Sequence, residues 1–191
     1  MKASKILVFL SVFLSACQTI PYNEKGAEVV SAYGDAADRF IVGLATATDK
    51  CKATGTPMTQ CANALFSTNE ESFYDEWDSK IFSAQNQVAA DDALGICSGA
   101  ADTAKKLSSR VTDAMLKREI DSIDFSKSSS CSMGSIGGVL KQHRNLRAYH
   151  KEFVVIERDE GDQWRETIAQ SVRIALMLEN FKKTAAEDGT E

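Results

Sequence analysis

From Glu24 almost to its end, the chain repeats apolar residues at steps of three and four, and no stretch alternates apolar with polar over a strand's length. Such spacing places them on one stripe of an α-helix. The first stripe is Val30, Tyr33, Ala37, Phe40, Leu44, Ala47 and Cys51, and it predicts a helix from about Glu24 to Lys52. Gly55 lets the chain turn. Thr56-Pro57 reads as an N-cap with proline at the first helical position, opening a short helix that carries Met58, Cys61 and Leu65. Thr68-Asn69-Glu70-Glu71 fits a capping box that starts the next helix. Its stripe is Phe73, Trp77, Ile81, Ala84 and Val88, which leaves Tyr74 on the flank.

Gly95 and Gly99 predict a break between Ala90 and Gly99. A further helix carries Leu94, Cys97, Ala101, Ala104, Ser108, Val111 and Met115 and fades near Ile123, ahead of a Ser-rich loop at 126–135. Ile136, Val139, His143, Leu146, His150 and Phe153 define the next helix, with Gly134 to Gly138 as its flexible lead-in. Asp159-Glu160-Gly161-Asp162 reads as a turn, and Trp164, Ile168, Val172, Ala175, Leu178 and Phe181 as the last helix. Helices of about 22 residues, ~33 Å each, joined by short turns predict an all-α antiparallel bundle of four or five main helices. Only Pro21 and Pro57 are present to interrupt helices.

The first residues follow a different pattern. Lys2 and Lys5 precede an apolar run, Ile6 to Leu14, broken only by Ser11, and Ser15-Ala16 are small. That order is secretory, and the run is much shorter than the ~20 residues that span a bilayer. Leu14-Ser15-Ala16-Cys17 matches a lipobox, so residues 1–18 resemble the precursors of bacterial lipoproteins. The resemblance implies cleavage before Cys17 and lipidation of Cys17. It divides the chain into a signal peptide at 1–16, a lipidated Cys and tether at 17–25, a helical domain at 26–184 and a flexible tail at 185–191. Gln18 stands where an Asp would favour inner-membrane retention. The resemblance therefore implies an outer-membrane anchor on the periplasmic side. Two or more acyl chains hold stably where one holds only marginally.

The cysteine count agrees with that reading. Setting aside Cys17 leaves Cys51, Cys61, Cys97 and Cys131, an even number suited to two disulfides in an oxidising compartment. Three pairings are open, and proximity favours Cys51–Cys61 with Cys97–Cys131. Without Lys2 and Lys5 the 22 basic residues fall to 20 against 27 acidic ones, a net charge of −7. An acidic chain with no basic arm is not a general nucleic-acid binder.

Motifs for chemistry are sparse. His143 and His150 are seven apart, about 10 Å along a helix, too far for one metal ion, and there is no HExxH, GxSxG, CxxC or Walker loop. No catalytic, metal or cofactor residue is assigned. Arg144, Arg147, His150 and Lys151 form a candidate anion or partner face, and Glu70, Glu71, Asp75, Glu76 and Asp78 form an acidic stretch able to pair with it across the bundle. The reading that follows is an envelope lipoprotein acting by binding, as an accessory or assembly factor partnered by an envelope protein. Two alternatives stay open. One is a hydrolase of peptidoglycan or another envelope glycan, using carboxylates such as Glu152 and Glu157 with His150 nearby. The other is an inhibitor or exclusion lipoprotein with a protruding loop.

Overall fold

The structure, a computed structural model, describes residues 23–92 and 133–188. Helix α1, Glu24–Thr54, is followed by two 3₁₀ turns, Met58–Gln60 and Ala62–Ala64. A second helical segment then runs through α2, Phe66–Asn69, a π-helical turn, Glu70–Asp75, and α3, Glu76–Asp92. Helices α4, Met133–Phe153, and α5, Arg158–Asp188, complete the described residues, which contain no strand. Each segment packs antiparallel on the next, and α5 closes against α1. Cross-bundle contacts fix these directions. Gly137 of α4 faces Gln85, while Arg144 reaches Asp78. Gly34 of α1 faces Val172, and Asp49 reaches Arg158.

The predicted stripes form the core. Val30, Tyr33, Ala37 and Leu44 of α1, Phe73 and Ile81 of the second segment, Ile136, Val139 and Leu146 of α4, and Ile168, Val172 and Ala175 of α5 are all buried. Each large apolar side chain so buried adds ~1.5–3 kcal/mol relative to exposure. Gly55 takes the left-handed conformation, φ 67°, and its N–H bonds the Lys52 carbonyl, ending α1 as expected. Gly161 lets α5 approach α1 closely: a Cβ there would lie 3.2 Å from Ile41.

Several local expectations are corrected. Thr56-Pro57 opens no α-helix; Pro57 precedes a single 3₁₀ turn and no side chain caps it. The capping box at Thr68 does not form, because Thr68 lies inside α2 and its segment continues without a start signal. Gly134 to Gly138 belong to α4 instead of leading into it. Asp159 to Asp162 are the first turn of α5, where carboxylates suit the positive end of the helix dipole. At the start of that helix the Glu157 carbonyl accepts the first helical bond, from Gly161, and the Glu160 carboxylate reaches back to accept from the Glu157 N–H, one half of a capping box formed without Ser or Thr. The turn falls instead at Val154, a β-branched residue with φ 70°. Phe153, expected on the α4 stripe, is 53% exposed because α4 ends there.

One disulfide, Cys51–Cys61, is present among the described residues, with Cα atoms 6.0 Å apart. The expected Cys97–Cys131 bridge, the helix carrying Leu94 to Met115, Cys17 and its signal, and most of the Ser-rich loop lie outside the described residues.

Candidate functional site

The histidine stripe of α4 leads into a polar cluster at the centre of the bundle. His143, His150, Tyr33 and Tyr74 are each fully buried. His143 Nε2 lies 2.9 Å from the Tyr74 carbonyl, and its Nδ1 lies 3.3 Å from the Tyr33 hydroxyl. His150 Nε2 lies 2.8 Å from the Ala64 carbonyl, and its Nδ1 lies 2.9 Å from the Tyr74 hydroxyl. A carbonyl only accepts, so both imidazoles carry their proton on Nε2 and take a phenol proton on Nδ1. All four ring nitrogens are therefore partnered. Burial lowers both histidine pKa values and holds the rings neutral, against the raising effect of their carbonyl partners. Burial also pushes the Tyr33 and Tyr74 hydroxyls far above their ordinary range, so both remain donors.

Tyr74 occupies two places in this cluster, and the flank expected for it is corrected. A π turn gives each residue a smaller rotation than an α turn, so Phe73 and Tyr74 both reach the interior. Phe73 stacks on Phe40 with ring centroids 3.7 Å apart, while Tyr74 turns its edge to Phe40 and its hydroxyl to His150. The missed signal was the pair of histidines on an apolar stripe, since a buried imidazole needs two polar partners.

The four members of the candidate anion face do not form one open surface. Arg144 makes a two-pronged contact with Asp78, at 2.6 and 3.0 Å. Arg147 holds Glu70 at 2.9 Å and Asp75 at 2.7 Å. Arg144 keeps the Asp78 carboxyl below its usual range. His150 points inward, and the Lys151 ammonium lies 5.9 Å from the Phe66 ring centre. The basic face of α4 and the acidic stretch thus meet across the bundle. Glu157, named with Glu152 and His150 for the hydrolase alternative, pairs with Lys52 at 2.6 Å, and the buried His150 ring is turned to Tyr74 and Ala64.

Outside the core, a groove of about 680 Å³ runs along the outer face of α1, walled by the 3₁₀ segment. Val42, Gly43, Thr46 and Ala47 form its floor, and Gln60 to Asn63 its wall. The Cys51–Cys61 bridge joins floor to wall. A second hollow, between α4 and α5, is lined by Tyr149, Trp164, Gln142, Gln163, Glu160 and Thr167. Burial and a hydrogen bond to Glu160 push the Tyr149 hydroxyl up to about 12. Among the described residues there is no group of three or more metal-ligating side chains, and no helix is long and apolar enough to cross a membrane.

In comparisons with protein-family models, with curated proteins and with solved structures, none matches this chain.

Proposed function

We propose that this chain is a lipid-anchored envelope protein that acts by binding a protein partner, as an accessory or assembly factor, from an outer-membrane anchor on Cys17. One observation carries the binding part of the reading: both histidines and two of the tyrosines are turned inward and hydrogen-bonded within the core, while a groove of about 680 Å³ faces outward. The side chains best suited to proton transfer therefore hold the fold together, and the solvent-facing relief suits a docked segment. The anchor rests on the lipobox, Leu14 to Cys17. Helix α1 starts seven residues after Cys17, a reach of at most ~25 Å. A disulfide between Cys97 and Cys131 completes the proposal.

Metabolic labelling with radioactive palmitate, followed by membrane fractionation and in-cell crosslinking, tests it. The full chain is expected to take up label, to sediment with outer membrane and to crosslink to one dominant envelope protein. Cys17→Ala is expected to lose label and sedimentation. Unlabelled wild-type protein overturns the anchor. Hydrolysis of peptidoglycan by the purified chain overturns the binding role.

A further inference from the structure

The outer face of α1 carries the floor of the groove. Val42 is 40% exposed, Gly43 and Thr46 are also exposed, and a Cβ added at Gly43 would meet nothing within 4 Å. Arg39 and Lys50 line the two ends of this apolar floor. Several cations elsewhere on the bundle are matched to carboxylates: Lys52 to Glu157, Arg144 to Asp78, Arg147 to Glu70 and Asp75, Arg158 to Asp49 and Arg165 to Asp38. Among the described residues neither Arg39 nor Lys50 is in an ion pair, although the chain as a whole is acidic. Asp38, the carboxylate that also lines the groove, is held by Arg165 at 2.7 Å.

We infer that this groove docks an acidic segment of the protein partner, with apolar side chains seated over Val42 and Gly43 and carboxylates meeting Arg39 and Lys50. Charge complementarity selects the occupant. The groove offers two uncommitted cations at its ends and an apolar floor between them, so a basic segment is repelled and a neutral one leaves both ends unmatched. The two positions are eleven residues apart on α1, about 16 Å. The partner's acidic residues therefore lie about eleven apart if its segment is helical, or about five apart if it is extended. The disulfide has a part in this, since it keeps the wall at Gln60 to Asn63 beside the floor.

The inference rests on the binding role proposed above, and its test separates the two. Random fifteen-residue peptides are selected on the full chain, with counter-selection on Gly43→Leu. A Cβ at position 43 meets nothing within 4 Å, so the added side chain projects into the groove without a clash at its base, and circular dichroism verifies that the variant keeps the fold. Selected peptides are expected to carry acidic residues on both sides of an apolar centre. Their affinity is expected to fall at least tenfold on Gly43→Leu and on the double variant Arg39→Glu/Lys50→Glu, and to weaken with added salt. Phe82→Ala, an exposed residue on α3, is expected to leave it unchanged. Peptides without acidic residues, peptides that bind the variants equally, or no selected peptides overturn the groove. Self-association of the full chain that Gly43→Leu abolishes points to a second copy as occupant and overturns it as well. A cellular crosslink that survives all these variants retains the binding role and rejects the groove. Groove-dependent peptides with no cellular partner reject the role and retain the groove.

Discussion

At the scale of single residues, the cluster of Tyr33, Tyr74, His143 and His150 makes two commitments that can be measured. Tyr74→Phe removes the donor facing His150 Nδ1 and leaves a buried acceptor unpaired. Denaturant unfolding is expected to show a loss of about 1–3 kcal/mol. Both imidazoles are neutral when folded, with lowered pKa values, whereas unfolded histidine takes up a proton near 6.5. The unfolded state therefore binds more protons as pH falls. The contribution is intact above about 6.5 and is lost as pH drops toward the folded values. For His143 burial is the leading cause; the Tyr74 carbonyl and Asp78 oppose it, while Arg147 and Arg144 act with it. With two such groups, stability is expected to be lower at about pH 5.5 than at about pH 7.5, as read by denaturant unfolding at both pH values. A flat profile across that interval would mean that the rings are already charged or find other partners.

At the scale of elements, apolar periodicity was sufficient wherever a helix buried one regular stripe. The stripes of α1, α4 and α5 were legible because one residue in three or four decides them. Boundaries set by backbone geometry were not. The π turn at Glu70–Asp75 has no sequence mark of its own, and it carried Tyr74 from the expected flank into the core. The start of α5 was hidden because Glu157 and Glu160 cap it with carboxylate and backbone in place of a hydroxyl. Gly161 looked like a turn residue, yet its missing side chain serves the contact with Ile41. The groove went unread because Val42 and Gly43 sit beside the core residues Ile41 and Leu44, widening the apolar run beyond one stripe.

Two predictions belong to the connections between elements. Val154 holds φ 70° at an exposed site between α4 and α5, a conformation that costs an L-residue with a Cβ roughly 1–2 kcal/mol. Val154→Gly is expected to raise stability by about 1 kcal/mol in a denaturant titration. Cys51 and Cys61 close a short loop, with a sequence separation of 10. Replacing both with Ser is expected to lower stability by about 2–3 kcal/mol on the chain-entropy account, with far-UV circular dichroism still helical.

At the scale of the whole molecule, opposite faces of charge meet between helices, and the ion pairs that bridge α1 to α5, and the π turn and α3 to α4, are largely exposed. Exposed pairs contribute ~0–1 kcal/mol each and are screened by salt. The apolar interior, with its satisfied polar centre, accounts for the stability. Raising sodium chloride from 0.05 M to 1 M is expected to move the unfolding free energy by less than about 1 kcal/mol. A collapse of stability in salt would assign the charges a structural weight that their exposure does not support.

The position of Tyr74 also bears on how this sequence can drift. One residue serves His143 with its carbonyl and His150 with its hydroxyl, so α4 has a single longitudinal setting in which both imidazoles are matched. Sliding α4 by a turn would strand two buried rings together. Replacing any one of the four side chains, Tyr33, Tyr74, His143 or His150, leaves an orphan that only a second replacement can absorb. Positions 33, 74, 143 and 150 therefore form one inherited unit. Descendants that abandon it are expected to do so through paired exchanges toward an all-apolar centre, while the surrounding stripe residues wander independently.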